Sequence, residues 1–417
     1  MKLKTLFGLP NKVVFCKKSL VSNQRPNSAI EFNTSKKQIK KTLFIDKNGI
    51  SDSWKYSRIK HRINYKQREK KLLRLLEKHR GKHGEYDCIV PGSGGKDSCY
   101  ASHILKNKYG MNPLTVTWPP ILYTDYGYQN YKNWLKSDKL DNVTPKRDDF
   151  TMKYLTKLSI LNLMHPFQTF ILGQKIFATK ISIKYKIPLV FFGENEAEHG
   201  NPLADNSQSI RDKSYFTYKN FNKIFLGGVK ITDLINNHRL KLENLKIFLP
   251  PEEKELLKFN TETHYLGYYL KWIPQETYYY AVKNCNFRPR PFRTEGTYSK
   301  YNSIDDKIDD FFYYTMGIKF GIGRATADAS QEIRSGDITR EEGVLLVKKF
   351  DHEYPERFAD EIFKYLSIDK ENFPIAHKQF EQPIFDRKYF NDLCDTFRSP
   401  HIWKYVNNKW ELRKPIE

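Results

Sequence analysis

The chain has 417 residues and a formal net charge of +23, from 71 basic against 48 acidic side chains. With 39% hydrophobic and 15% aromatic residues it carries enough apolar material for a sizeable core and two or three domains, which excludes a disordered or fibrous polypeptide. No apolar run approaches the roughly 20 residues of a membrane helix, the basic N-terminus lacks an apolar signal core, and five scattered cysteines without a C-x-x-C argue against a disulfide framework, so a reduced, cytoplasmic setting is expected.

Residues 1–58 read as a small irregular or β-rich module with short apolar pieces, Val13-Val14-Phe15 and Leu43-Phe44-Ile45. Residues 60–80 carry Leu72, Leu73, Leu75 and Leu76 and predict an amphipathic helix ending before Gly81. From Tyr86 the pattern becomes strand (87–91), glycine loop, helix (Ala101, Ile104 and Leu105 on one face, stopping at Gly110) and strand (113–118). A helix around 168–185 then runs into a strand at 187–192. Buried strands alternating with helices predict an α/β fold with a parallel sheet over residues 59–285. Residues 201–262 read as a polar, irregular insertion, 264–272 as a further strand and 274–284 as a helix. Residues 286–417 read as helical. There Ile304, Ile308, Phe311 and Phe312 form a stripe, Asp305, Asp306, Asp309 and Asp310 are placed on the exposed face, and Thr339 with Glu342 forms a capping box opening a helix at 338–350.

The loop after the first strand reads Pro91-Gly92-Ser93-Gly94-Gly95-Lys96-Asp97-Ser98. A Walker A loop would need glycine at Val90 and a hydroxyl at Asp97, and a nucleophile elbow would need glycine at Pro91. What remains is an anion cradle. Gly94 and Gly95 can turn their amides inward, and the following helix adds its positive end. Ser93 and Ser98 supply hydroxyls and Lys96 a cation, while Asp97 either caps the helix or holds Mg²⁺.

This S-G-G-K-D-S resembles the PP-loop of the ATP pyrophosphatase superfamily, which implies an adenine nucleotide alpha hydrolase-like, HUP-type core and ATP bound by Ser93 through Ser98. Longer stretches are similar to the N-acetyl sugar amidotransferases of surface-polysaccharide and nonulosonic-acid synthesis: "YDCIVPGSGGKDS", "KYGMNPLTVTW", "NLMHPFQTFILGQK", "FFGENEAEHGNP", "HYLGYYLKW", "RTEGTYSKYNSIDDKID", "FGIGRATADASQEIR" and "ITREEG". That resemblance implies ATP with Mg²⁺, release of AMP and pyrophosphate, and conversion of an acetamido to an acetamidino group on a sugar or sugar nucleotide. Ammonia would come from a partner glutaminase through a cyclase-like barrel. Lys96, Asp97, Glu194 and Asn195 become catalytic candidates: Glu194 to hold Mg²⁺ or take a proton from ammonium, Asn195 to hold the amide. His165, Glu196, Arg293, Lys300 and Arg324 are substrate-binding candidates, the arginines and lysine suiting an acidic sugar or a diphosphate. The alternative is a tRNA-modifying PP-loop enzyme of thiolation or lysidine type, which the net charge favours, although a nucleic-acid partner is not expected.

The family usually opens with two C-x-x-C pairs that hold zinc. Here the four positions are Cys16, Ser19, Ser51 and Trp54, so no zinc is expected, with Trp54 filling the vacated space.

Overall fold

The computed structural model describes residues 3–82, 84–194, 208–372 and 384–417. Among these, the strands are β1 (Cys88–Pro91), β2 (Pro113–Val116), β3 (Asn142–Val143), β4 (Leu189–Phe192), β5 (Phe225–Leu226), β6 (Val229–Lys230), β7 (Glu262–Tyr265), β8 (Trp403–Val406) and β9 (Lys409–Leu412). Five of them form one all-parallel sheet in the order β3-β2-β1-β4-β7. In register, Cys88 faces Pro113, Ile89 faces Leu114 on one side and Val190 on the other, and Leu189 faces Glu262.

Both faces of the sheet are covered, so its strands are apolar throughout and the period-two alternation sorts residues between two cores. Ile89, Leu114, Val116 and Val190 enter the larger core, packed by the helices Asp149–Leu163 and Gln168–Tyr185. Cys88, Val90, Leu189 and Phe191 enter the other, against Leu72 and Leu76 of the helix Tyr65–His79. The chain crosses from β1 to β2 and β3 on one side and then to β4 and β7 on the other, so β1 and β4 flank a topological switch point. In open α/β sheets the carboxyl ends of strands at such a point form a ligand crevice.

The helix after the glycine loop runs from Lys96 to His103 and continues as a π turn, Ile104–Lys108, before Gly110. The expected strand at 264–272 ends early. β7 stops at Tyr265, and Leu266–Tyr269 is one helical turn whose Leu266 and Tyr269 join the core beneath the sheet. The segment read as a polar insertion is also better anchored than its composition implies: Ile224, Leu226, Ile231, Leu234 and Phe248 are fully buried in the main core.

The aspartate-rich stretch overturns its expectation. The helix begins only at Asp309 and runs to Phe320, and Asp306, Asp309 and Asp310 are buried rather than solvated. Asp306 is consumed as a cap, its carboxylate accepting from the amides of Ile121, Leu122 and Ile308. The rest of the C-terminal part is helical (Arg324–Ser335, Arg340–Phe350, Ala359–Leu366, Arg387–Phe397), with the Thr339–Glu342 capping box present, and closes on the antiparallel β8–β9 hairpin.

The N-terminal segment consists of turns and isolated bridges followed by the helix Asp52–Lys60. It leans on the C-terminal helices: Leu20 packs with Ala325, Ala329 and Val344, Phe7 stacks on Phe397, and Gln24 bonds His401 at 3.0 Å. Among the described residues no helix is long and apolar enough to cross a membrane.

Candidate active site

The glycine loop extends β1 without a break, since the amide of Gly92 still pairs with the carbonyl of Val116 at 2.9 Å. Gly94 has φ +86°, and a Cβ there would lie 2.6 Å from the Tyr131 backbone, so both conformation and space demand glycine. A Cβ on Gly92 would meet Ser98 at 2.1 Å. The helix that follows has Gly95 as its N-cap and no side chain bonded to its first amides, which leaves those donors for an anion. Its length and the loop's glycines fit a phosphate chain. Ser98 Oγ is turned inward, donating to the carbonyl of Gly95 at 2.9 Å.

Lys96 and Asp97 are joined. Lys96 Nζ lies 2.6 Å from Asp97 Oδ2, and Trp272 Nε1 donates to Asp97 Oδ1 at 2.8 Å. The indole is buried and lies beneath two cations, Lys96 Nζ at 5.4 Å and Lys60 Nζ at 5.8 Å from the ring. Trp272 therefore sets the direction of the Asp97 carboxylate, a role with no local signal in the chain.

Two cavities meet at this loop. The smaller, about 320 Å³, lies over the carboxyl ends of β1, β2, β4 and β7, and Trp118, Phe177, Phe192, Phe216 and Tyr265 give it an aromatic wall. The larger, about 630 Å³, lies on the other side and is closed by the N-terminal segment and the C-terminal helices. Ser93, Gly95, Asp97, Gln174, Lys175 and Glu194 line both. The loop after β4 touches the glycine loop directly: a Cβ on Gly193 would fall 2.5 Å from the carbonyl oxygen of Asp97. Both volumes suit small-molecule ligands of about 300–1,000 Å³ pockets.

The larger cavity is charged and partly self-neutralised. Lys175 pairs with Glu31 at 3.3 Å and Arg324 with Asp328 at 2.8 Å, the latter guanidinium also meeting the Tyr313 hydroxyl. Asp309 lines the cavity, and burial, with Asp305 and Asp306 nearby, holds its carboxyl well above the ordinary range. His165 follows Met164, whose left-handed φ of 46° ends one helix and turns the chain toward the next. Its ring stacks on Phe312 at 5.0 Å, and its buried Nδ1 has no hydrogen-bond partner among the described residues. Burial and the cations Lys319, Lys40 and Lys175 push His165 well below its ordinary pKa, so the imidazole is neutral at neutral pH.

Of the residues expected from sequence, Ser93, Gly94, Gly95, Lys96, Asp97, His165, Glu194 and Arg324 converge on the two cavities, with Ser98 in the smaller. Arg293 and Lys300 line neither. Arg293 forms a two-point ion pair with Glu353 (2.6 and 2.5 Å) that ties the 293–297 turn to the end of a C-terminal helix. Asn195 and Glu196, with Glu198 and His199, lie outside the described residues. Sequence reasoning missed Trp272, Asp309 and Asp328, although each falls in one of the longer stretches quoted above, and Tyr313, which lies between two of them. It also missed Arg25, Glu31, Lys40 and Lys175; the first three lie in the N-terminal segment and carry no motif.

Cys16, Ser19, Ser51 and Trp54 are brought together. Cys16 is fully buried, the Ser51 amide points at its sulfur at 3.4 Å, and Trp54 shares an apolar cluster with Cys16, Val21 and Leu43. Ser51 caps the helix that carries Trp54. Burial pushes the Cys16 thiol up, but Ser19 and Ser51 outweigh it, and the thiol lies below its ordinary value. One sulfur, two hydroxyls and an indole do not make a four-donor N/S set, so the residues present do not fit structural zinc. No group of three or more His, Cys, Asp or Glu placed to hold a metal ion occurs among the described residues.

Comparison with known proteins adds two findings. Residues 295–416 match the family model described as "LPS biosynthesis protein WbpG-like, C-terminal domain". An uncharacterized protein of Methanocaldococcus jannaschii is 31% identical over 90 residues, which are 22% of this chain and 32% of that protein. The match thus spans about a third of the length of that relative.

Proposed function

We propose that this chain is an ATP-dependent, AMP-forming amidotransferase that acts on an N-acetylated sugar in surface-glycan biosynthesis. The observation that carries the reading is the glycine loop between two cavities at the switch point of a parallel sheet. A nucleotide in the aromatic cavity and an acceptor in the charged one would meet at Asp97, Lys175 and Glu194. The match of residues 295–416 to an LPS biosynthesis family supports a glycan acceptor over tRNA. The resemblance of the longer stretches supports the acetamido group as the reacting one.

ATP supplies the activation: its AMP moiety goes to the acetamido oxygen, pyrophosphate leaves, ammonia adds to the carbon, and AMP departs with that oxygen. The protein's part is positioning and charge. Gly94, Gly95 and the open helix amides take phosphate oxygens, with Ser93 beside them and Lys96 as the cation. Trp272 aims Asp97, which with Glu194 offers carboxylates for the Mg²⁺ that accompanies ATP. Glu194 lies where the cavities join, placed to accept the proton that ammonia sheds on attack. His165, neutral, is a hydrogen-bonding partner for the acceptor, and Asn195 is proposed to orient the amide. Ammonia is proposed to arrive from a glutaminase through a barrel subunit, or as free ammonium.

The test is incubation with ATP labelled at the α and γ positions, ammonium chloride and a panel of N-acetyl sugars and UDP-N-acetyl sugars. The expected outcome is sugar-dependent AMP and pyrophosphate in equal amounts, with exchange of one oxygen for NH in the product by mass spectrometry. Production of ADP and phosphate instead would refute it.

A further inference from the structure

The larger cavity is also walled by residues that no motif singled out. Arg25 comes from the N-terminal segment, where its backbone is fixed by bonds to Ser22 and Leu43 (3.2 and 2.8 Å) and by the neighbouring Gln24, whose side chain holds the carbonyl of Pro10 at 3.0 Å. Its guanidinium faces Arg324, Arg334 and Tyr313. Arg324 is already matched by Asp328, which also accepts from Thr297 at 2.7 Å. Among the described residues no carboxylate lies within ion-pair distance of Arg25. Burial and the two arginines lower its pKa to about 10, the opposite of what a paired arginine experiences. Lys40 stands on the same wall. Its natural counter-ion, Glu31, is occupied by Lys175, and its nearest bonded partner is the neutral Gln38 at 3.4 Å.

A half-buried guanidinium among like charges, opening onto a cavity and without an acid, costs stability unless an anion completes it. Its planar fork matches a carboxylate or a phosphate in two-point fashion. We infer that Arg25, supported by Lys40, forms a subsite for an anionic group of the second substrate. This rests on the proposed assignment of the larger cavity to the acceptor. The subsite also gives the N-terminal segment a function that does not depend on metal: it delivers Arg25 and Lys40 to the cavity. Asp305 also lines the cavity, its backbone packed against Gly127 of the helix Asp125–Ser137.

Two sources share this chemistry, a sugar carboxylate and a sugar-nucleotide diphosphate. Calorimetric titration of the full chain, without ATP, with glucuronate, UDP and neutral N-acetylglucosamine separates them. The wild type should bind one of the two anions, and Arg25→Ala should weaken that binding roughly 10- to 100-fold, the worth of a charge-assisted two-point contact. Arg25→Lys should fall between, because it keeps the charge and loses the fork. ATP affinity should be unchanged in both variants, and the thermal midpoint of Arg25→Ala should equal or exceed that of the wild type, since a poorly compensated charge is removed. Undiminished anion binding by Arg25→Ala, or binding of neither anion by the wild type at millimolar concentration, would overturn the subsite. Failure of the wild type to bind ATP would instead strike the proposed function.

Discussion

The two sides of the glycine loop are built in different ways. The phosphate cradle is local: one strand, one loop and one helix, contiguous from Cys88 to His103, place it, and only the aromatic wall beside it is gathered from farther along the chain. The charged side is assembled from afar, with Arg25 and Lys40 from the N-terminal segment, His165 and Lys175 from around one helix, and Asp309, Tyr313, Arg324 and Asp328 from two more. A site that binds an invariant group such as a phosphate chain can be encoded in one short motif. A site that must match a particular acceptor is shaped by whichever elements the fold brings to its rim. Changes on the aromatic side should therefore affect ATP, and changes on the charged side should affect the acceptor.

The largest effect is expected at the loop. Lys96→Ala should lower AMP formation by roughly 100-fold or more, as losing one preorganised charge contact at a reacting phosphate does. Activity within a few-fold of wild type would remove the loop from the chemistry.

The next effect is on stability, at the helix that carries Asp309 into the charged cavity. Among the described residues neither buried carboxylate oxygen of Asp310 has a hydrogen-bond partner, and burial pushes its carboxyl up to about 7 while Arg290 and Arg357 pull against it. An acid raised above its unfolded value of about 4 is better protonated in the folded state, so its stabilisation holds below about pH 4 and is lost as pH rises through about 7. Urea unfolding of Asp310→Asn should show a gain over wild type that is larger at pH 8 than at pH 5, by at most on the order of 3 kcal/mol. An equal difference at the two pH values would show that Asp310 is ionised throughout.

A paired substitution sharpens the contrast most directly. Gly193→Ala pushes a methyl into the Asp97 carbonyl, and Gly127→Ala pushes one into the Asp305 backbone, 2.3 Å from its Cα. Each overpacks a junction by about 1–3 kcal/mol. Gly193→Ala should raise the KM for ATP about tenfold and leave that for the acceptor nearly unchanged, and Gly127→Ala should do the reverse. Parallel changes in both constants would mean that the two cavities work as one.

The smallest effect is assigned to Trp272. Trp272→Phe keeps the ring under Lys96 and Lys60 but removes the donor to Asp97, a bond to a charged group worth about 1.5–3 kcal/mol in general. Its kcat should fall by about tenfold at unchanged thermal midpoint. An unchanged kcat would show that Lys96 alone aims the carboxylate.

Much of the fold was readable without coordinates. Alternation of short apolar runs with helical periodicity located β1, β2, β4 and the helix Gln168–Tyr185, and Thr339 with Glu342 marked a helix start, because these signals act within one turn or one strand. The errors fell where a distant partner decides. "LGYY" reads as strand by composition, yet it folds as a helical turn because Leu266 and Tyr269 are drawn into the core under the sheet. Asp306, Asp309 and Asp310 read as a solvated face, yet all three are buried: backbone amides about 185 residues away in sequence bind Asp306, and Arg290 and Arg357 offset the charge of Asp310.

Sequence by itself determined the loop, the parallel sheet that presents it and the loss of the metal-ligand pattern at Ser19, Ser51 and Trp54, since each is a matter of residue type at fixed short spacing. Only the tertiary structure decided that Trp272 holds Asp97, that Arg293 serves an ion pair rather than a cavity, and that Arg25 faces a cavity with no acid paired to it among the described residues. Those outcomes depend on which side chains meet across tens or hundreds of residues, and burial, not local pattern, sets the energy of such meetings.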